Sequence, residues 1–410
     1  MRDFNILKSF CQKIYFVGSG NFWYEGEVGY DRNLSYRIYS LILFFIYGSM
    51  TVLEIFAALF GNFPKDEKGD CVTFAVSHTI VMIKMCYVIG NKQLIRKLNY
   101  DMATVCEEFE ETSLQKKKYY NIKINLIAYF VTVYFSAACF VFEGLRKAIH
   151  LLFFIISSSH FVTIVTYYPS FEDNSSPATA FRIYCTIVLF MMLLSMIMTV
   201  DGFTMVNLIM FKYKIITLRR YFETISEDFK EMHKIDRRLA VENLAKGLIK
   251  GFKVHKELLR ILKDIDKAFG YVIALQLCQS SGSAVSLLLQ MAISDELTLV
   301  GKLKIMFFVI ALFFLLGLFL CNAGEITHQS AQLADSIFYC GWHECLWEYQ
   351  PNGKKIGQMV LIACTQAQKP LVLKAFKMIE LTYGTFLLVI KTTYSIFALF
   401  NAQSGKTQNK

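Results

Sequence analysis

The chain has 410 residues, which is enough for two or three soluble domains of about 150 residues each. Its composition excludes that class: 55% of the residues are hydrophobic, only 19% are charged and the mean hydropathy is +0.40, whereas soluble domains average about 45–50% apolar and about 25% charged residues. The net charge of +10 does not indicate a nucleic-acid-binding face, because the basic residues alternate with apolar blocks. We therefore expect an integral membrane protein without a nucleic-acid partner.

Apolar runs long enough to form membrane helices follow one another along the chain. A transmembrane helix needs about 20 mostly apolar residues, and all five prolines lie outside the runs that meet this condition. Eight such runs are present, at residues 35–60, 72–90, 122–142, 149–168, 181–211, 269–293, 303–323 and 381–400.

The charges between the runs predict which of them cross the membrane. Cytoplasmic loops carry an excess of Lys and Arg. The range 212–267 holds fifteen basic and nine acidic residues, whereas 148–180 and 294–301 hold no Lys or Arg. Basic and non-basic loops alternate only if 122–168 crosses once, with 149–168 folded back over the bundle. The sequence thus predicts an all-α membrane protein with seven transmembrane helices, a cytoplasmic N-terminus and an extracellular C-terminus.

The same pattern predicts the domain organisation. We expect residues 1–401 to form one seven-helix domain, followed by a short extracellular tail at 402–410. Amphipathic patterns in 213–267 and 325–380 predict cytoplasmic helices that bury one face. A glycosylation sequon at Asn174 falls on the predicted outer side, where a glycan is possible.

Four ionisable residues stand out within the apolar runs or at their ends, where charge is costly and function is the default hypothesis. They are Lys84, Glu143, Asp201 and Lys391. Lys84 and Asp201 both fall in the predicted inner halves of their helices, and pairing is the less costly arrangement for two such charges. We favour this pair as a tie between helices, with a direct role in transport as the alternative.

No pattern for catalysis or cofactor binding is present in the sequence. The seven histidines lack HExxH spacing, and neither GxxxxGK nor GxGxxG occurs. Cys340, His343 and Cys345 are close enough to hold a metal, but we favour ordinary packing around Trp342. The eleven cysteines lie mostly in apolar runs or predicted cytoplasmic loops and predict no disulfide framework. We expect no enzyme, no metal and no cofactor.

Seven helices also fit a G-protein-coupled receptor, but the predicted orientation is the reverse of that class. An acidic-Arg-Tyr triplet and a late Asn-Pro, both typical of it, do not occur in the sequence. A metabotropic seven-helix receptor or a carrier therefore remains only a weaker alternative.

The last 80 residues combine three motifs: an Ala, a Tyr and a Trp on a predicted cytoplasmic helix, a Gln followed by a Pro, and a Phe, a Lys and a Tyr-Ser pair on the last helix. The residues concerned are Ala334, Tyr339, Trp342, Gln368, Pro370, Phe386, Lys391, Tyr394 and Ser395. In this combination the chain resembles the insect odorant receptor family, strongly at 325–400 and weakly at 1–120.

The resemblance implies an odorant-gated, non-selective cation channel that forms a heterotetramer with the odorant receptor co-receptor (Orco). It also implies the plasma membrane of olfactory neuron dendrites, a small volatile ligand, and monovalent and divalent cations as permeating ions. Insect gustatory receptors share the architecture but end in Thr-Tyr, five residues and Gln-Phe, whereas here Phe400 and Asn401 follow Thr393-Tyr394. The co-receptor has a longer loop after helix four. We expect a ligand-tuning subunit, anchored through 213–267 and 325–380, with a gustatory-type channel as the alternative.

The resemblance further implies where the pore and the odorant site lie. The last helix lines the pore, and there Ile390, Thr393, Phe397 and Asn401 share a face, with Phe397 as an apolar gate. The odorant site lies in the outer half of the bundle, where aromatic, Met and small polar side chains suit a small apolar ligand. The residues that topology selects are Phe74, Ser77, His78, Tyr134, Ser136, Phe140, Tyr184, Met191, Met192 and Ser195. Ordinary helix packing is the alternative for both sets.

Overall fold

The computed structural model describes residues 2–61, 65–153, 176–293, 299–345 and 350–408, and these are almost entirely helical. The helices are α1 (Asp3–Phe16), α2 (Leu34–Phe60), α3 (Lys65–Gly90), α4 (Lys92–Thr104), α5 (Thr112–Phe153), α6 (Ser176–Met196), α7 (Gly202–His233), α8 (Arg237–Ile293), α9 (Leu299–Phe338), α10 (Gln350–Ala367) and α11 (Tyr383–Gln408). A π-helical turn at Ile197–Asp201 joins α6 to α7 without a break.

Seven helical segments of the described chain are long and apolar enough to cross a membrane. They are Leu34–Phe60, Cys71–Gly90, Thr112–Cys139, Ile183–His233, Arg237–Ala292, Gly301–Phe338 and Tyr383–Phe400. The predicted all-α class with seven membrane helices is thereby confirmed for the described residues, whereas the orientation of the two termini stays a prediction. At the run predicted to fold back, α5 continues to Phe153, and residues 154–168 lie outside the described residues.

Four helices, α5, α7, α8 and α9, are much longer than a membrane is thick. The 57 residues of α8 extend about 85 Å at 1.5 Å per residue, compared with about 30 Å of hydrocarbon. The charged C-terminal half of α7, the N-terminal half of α8 and the C-terminal part of α9 therefore continue beyond the membrane, where α7 packs against both and α10 packs on α9. These parts cover most of the two ranges predicted as cytoplasmic helices.

A small hairpin within 325–380 departs from that prediction. Strands β1 (Lys374–Ala375) and β2 (Ile379–Glu380) pair antiparallel, and the backbone amide of Lys374 donates to Oδ1 of Asp266 in α8 at 3.1 Å. Two strands of two residues are too short to show an alternating hydrophobic pattern, which is why the sequence did not predict them.

The most deeply buried helix is α7, in which every residue from Gly202 to Ile215 is buried. A helix buried on all sides is possible here because α5, α8 and α9 surround it.

The short helix α1 was not predicted from hydropathy. It packs on α4 and on the π turn.

Buried charges fix α1 to the bundle. The Asp3 carboxylate pairs with Lys118 of α5 and with Lys214 of α7, whose Nζ lies 2.5 Å from Oδ2. Lys118 also pairs with Glu110. These four side chains are almost completely buried, and two acids with two lysines compensate one another, which such burial requires.

Candidate functional site

A buried ion pair joins α3 to the π turn. Nζ of Lys84 lies 3.7 Å from Oδ1 of Asp201, and neither side chain is exposed. The ammonium also donates to Oε1 of Gln279 at 3.0 Å and to Gln276, both on α8. The Tyr129 hydroxyl of α5 donates to Oδ2 of Asp201 at 2.6 Å. The structure thus brings together the two residues expected to pair and adds polar partners from two further helices, which offset the loss of hydration.

The π turn sets the position of the carboxylate. A Cβ at Gly202 would lie 2.5 Å from the carbonyl oxygen of Ile197, so only glycine allows this wide turn to continue into α7. The hydroxyls of Thr199 and Ser19 lie 2.7 Å apart and tie the turn to the segment after α1. Single π turns within α-helices are frequent at functional sites, and this one ends at the buried acid.

An apolar cluster lies where α2, α3 and α6 pack together. Its buried members are Leu43, Tyr47, Met50, Phe74, Cys185, Val188, Leu189 and Met192. Two polar pairs lie within or beside it. The Tyr47 and Ser195 hydroxyls are 3.0 Å apart, and Nδ1 of His78 lies 2.7 Å from each carboxylate oxygen of Glu54. A mostly apolar environment with a few well-placed polar groups is typical of small-molecule sites.

Four of the ten predicted ligand-site residues meet at this cluster. Phe74 and Met192 are buried members, the ring of His78 stacks on Phe74 with centroids 5.7 Å apart, and Ser195 is the partner of Tyr47.

Two more of the predicted residues contact neighbouring helices outside the cluster. Tyr134 stacks on Phe190 of α6 and donates to its carbonyl at 3.1 Å, and the hydroxyl of Ser77 lies 3.5 Å from that of Ser283 in α8.

The structure does not bring the remaining predicted residues to the cluster. Tyr184 and Met191 are about half exposed on the outside of α6, at 51% and 47%. Ser136 donates to the carbonyl of Val133 in its own helix and lines a groove between α5 and α9. The side chain of Phe140 lies outside the described residues. Helix geometry explains why Met192 is buried while Met191 is exposed, because adjacent residues point about 100° apart around the helix axis.

Sequence reasoning missed Glu54, although a signal was present. It is an ionisable residue well inside an apolar run, and its side chain is fully buried. Its partner His78 lies on the next run, so an acid and a histidine fall on consecutive apolar segments joined by a short loop. Membrane charges are almost always paired, and a search for pairs of this kind would have found it.

The predicted pore residues that the structure describes lie on the inward face of the last helix. Of the predicted pore residues, Thr393 is only 2% exposed, and Phe397 packs against a cluster of α8 and α9 that includes Leu287 and Val309. Ile390 is half-buried, and the side chain of Asn401 lies outside the described residues. Within one subunit this face therefore turns toward its own α8 and α9.

Of the motif residues of the last helix, Phe386 is half-buried and the other three, Lys391, Tyr394 and Ser395, are exposed. Tyr394 is 67% exposed. The exposed Gln368 and Pro370 follow α10, and the indole of Trp342 donates to the carbonyl of Phe338 at 2.8 Å.

No group of three or more His, Cys, Asp or Glu side chains within the described ranges could hold a metal ion. In the Cys340–Cys345 segment, burial raises the pKa of the Cys340 thiol to about 11, so the thiolate that a metal needs is not favoured at neutral pH. The predicted glycosylation site Asn174 lies outside the described residues.

Comparison with known proteins identifies the family. The sequence model of the 7tm Odorant receptor family matches residues 65–394, most of the chain. The chain therefore belongs to the odorant receptor family, and it is a multi-pass membrane receptor rather than an enzyme.

Solved structures show the same fold. The insect olfactory receptor OR5 from Machilis hrabei superposes with a TM-score of 0.73 at 12% identity, covering 97% of this chain and 98% of that one. The same receptor in complex with eugenol gives a TM-score of 0.69 at 13% identity, covering 97% and 99%. None of the curated proteins matches the chain.

We predict that reversing either charge of the central pair impairs the receptor and that reversing both restores it. Lys84→Asp or Asp201→Lys leaves two like charges buried together, and an unpaired buried charge costs about 3–5 kcal/mol. Cell-surface abundance of a tagged full-length chain should fall in each single variant and recover in the double variant.

The exposed pair formed by Lys246 and Glu242 in α8 provides the matched control, because reversing its charges should leave surface abundance unchanged. A double reversal at Lys84 and Asp201 that is as poor as the single ones would contradict the pairing.

Proposed function

We propose that this chain is the ligand-tuning subunit of an odorant-gated, non-selective cation channel. It assembles with the odorant receptor co-receptor into a heterotetramer in the plasma membrane of olfactory neuron dendrites, with its N-terminus in the cytoplasm and its C-terminus outside. Membership of the odorant receptor family supports the receptor function, and the excess of basic residues in alternate loops supports the orientation.

The observation that carries the channel proposal is the exposure of α11. Only 6% of its membrane span is buried within the subunit, compared with 28–56% of the other six spans. Lys391, in the middle of that span, is exposed, and a lysine at the centre of a lipid-facing helix costs about 2.5–3.5 kcal/mol. Water in a pore or a polar neighbour in another subunit removes that cost, so α11 is expected to face other subunits.

Exposed apolar residues beyond the membrane support assembly through the predicted anchor. Leu361 and Ile362 on α10 are 52% and 69% exposed, Tyr339 is 69% exposed and Met378 on the hairpin is 80% exposed. Large apolar side chains in a water-facing region mark protein contacts when they occur together. We propose that they pack against neighbouring subunits.

The apolar cluster of α2, α3 and α6 is the proposed ligand site. Its composition suits a small, mainly apolar volatile compound, with the Tyr47–Ser195 and Glu54–His78 pairs as the groups that orient a polar substituent. The eugenol complex of the structurally similar OR5 supports the binding of a small volatile compound by this fold.

Two helices link the proposed site to the ion pair. On α3, His78 and Lys84 are six residues apart, and on α6 and the π turn Ser195 and Asp201 are also six apart, a distance of about 9 Å along a helix. Lys84 contacts Gln276 and Gln279 of α8, and α8 in turn packs against α11. We propose that a ligand that shifts α3 against α6 acts on the pore helix through this pair.

The channel proposal predicts an odorant-evoked current that needs no second messenger. Membrane patches excised from cells that express the chain with the co-receptor should carry an odorant-evoked cation current in the absence of nucleotide and G protein. A panel of volatile esters, alcohols, aldehydes and terpenes provides the ligands, and the co-receptor alone is the control. A response that requires nucleotide or G protein would indicate a metabotropic receptor instead.

Adjacent methionines of α6 give a matched test of the ligand site. Met192 is buried in the cluster and Met191 is 47% exposed, so we expect Met192→Ala to shift the half-maximal odorant concentration at least several-fold while Met191→Ala leaves it unchanged. Dose–response currents, normalised to surface abundance, measure both. If Met192→Ala fails to reach the surface, Met192→Leu keeps the volume. Equal sensitivity of all three variants and the unmodified chain would place the site elsewhere.

We propose that Phe397 is the gate, which requires its face of α11 to meet the pore in the assembled channel. Phe397→Ala should raise the basal current several-fold, because it removes the apolar ring that excludes water. Phe397→Cys should allow block by a membrane-impermeant thiol reagent applied to the open channel. Ser395→Cys is the matched control, because Ser395 is exposed and lies about 160° around the helix from Phe397. Block at Ser395→Cys alone would assign the pore to the exposed face that holds Ser395.

A further inference from the structure

A groove of about 400 Å³ runs between α1 and α5, with the π turn as part of its floor. Its floor is apolar: Phe10 of α1 and Leu126 of α5 approach each other at Gly202, where an added Cβ would lie 3.4 Å and 3.1 Å from their side chains. Ile127 is 50% exposed and Phe130 is 37% exposed along the same side of α5. The groove is thus open to the lipid that surrounds a membrane-spanning helix.

Each of the two helices places a lysine on the rim of this groove. Lys13 lies one turn beyond Phe10 on α1, and Lys123 lies one turn before Leu126 and Ile127 on α5. Both lysines are exposed, and neither has an ion-pair partner among the residues that the structure describes.

The position of Lys123 marks the boundary of the membrane. It is the last charged residue of α5 before a stretch of 19 uncharged residues at 124–142. Phe130, seven residues further along, lies about 10 Å deeper. The groove therefore spans the level at which lipid headgroups give way to acyl chains.

We propose that this groove binds an anionic phospholipid of the cytoplasmic leaflet. The phosphate lies between Lys13 and Lys123, and an acyl chain follows Leu126, Ile127 and Phe130. A soluble anion would pair with the lysines but would leave the apolar floor without a contact. A zwitterionic phospholipid is disfavoured because its own cationic group would lie close to the two lysines. Basic residues at the cytoplasmic surface of a membrane attract anionic lipid in this way.

The bound lipid packs on the turn that holds the ion pair. Ile197 and Met198 line the groove. The same turn continues with Thr199, which is hydrogen-bonded to Ser19. It ends at Asp201, which pairs with Lys84. A lipid between α1 and α5 therefore braces the N-terminal segment and the π turn together. Through this contact the composition of the membrane acts on the helices that carry the Lys84–Asp201 pair.

Photolabelling of the purified full-length chain tests the proposal independently of channel activity. Phosphatidylserine with a photoactivatable group on one acyl chain should label peptides that contain residues 124–130, as mapped by mass spectrometry. Lys13→Gln with Lys123→Gln should weaken the apparent affinity about 30-fold, the product of two lysine contributions. Lys13→Arg with Lys123→Arg should retain it, and Ile127→Gln should weaken labelling without altering either charge.

Lys253 and Lys256 of α8 are exposed lysines away from the groove, so Lys253→Gln with Lys256→Gln is the matched control and should label normally. Equal labelling by photoactivatable phosphatidylcholine, or unchanged labelling of the Lys13/Lys123 glutamine variant, would overturn the proposal. Displacement by millimolar inorganic phosphate would reassign the groove to a soluble anion. Loss of labelling on assembly with the co-receptor would show that another subunit covers it.

Discussion

The arrangement of the bundle depends on the requirement that Lys84 and Asp201 be buried together. Charges away from water persist only when paired and hydrogen-bonded. Here Gln276 and Gln279 accept from Lys84, and Tyr129 donates to Oδ2 of Asp201. Four elements, α3, α5, the π turn and α8, must therefore stay in register for any one of these groups to be satisfied. An apolar interface would tolerate sliding between helices, whereas this one fixes their relative depth.

The same constraint supports the proposed route from the ligand site to the proposed pore helix. The proposed site and the ion pair share α3 and the helix that contains α6 and the π turn, and α8 carries the contact to Phe397 through Leu287 and Leu288. Interfaces packed this closely have discrete arrangements rather than continuous ones. We therefore propose that a displacement at the cluster passes to α8 as a discrete shift of helices that remain joined by Lys84 and Asp201.

How much the sequence predicts depends on the length scale of each signal. Runs of 20 apolar residues and the charges between them identified seven spans, and a rare pair of charges in those runs identified Lys84 and Asp201. The sequence did not predict which side of each helix faces inward. Met191 and Met192 are adjacent and chemically identical, yet only Met192 is buried. The short helix α1 and the two-residue strands contain too few residues for a hydrophobic period to be detected. Glu54 was missed because it is a single charge among apolar residues.

The orientation of α11 in a single subunit bears directly on how such a channel opens. Phe397 contacts α8 and α9 of its own chain, whereas Lys391 and Tyr394 are exposed. An apolar gate must face its counterparts across the axis, so Phe397 reaches the pore only if α11 turns relative to α8. The contacts that Phe397 itself would lose are apolar, and its side chain is half-buried. Since only 6% of the α11 span is buried within the subunit, we propose that α11, the proposed pore helix, moves while Lys84 and Asp201 remain paired.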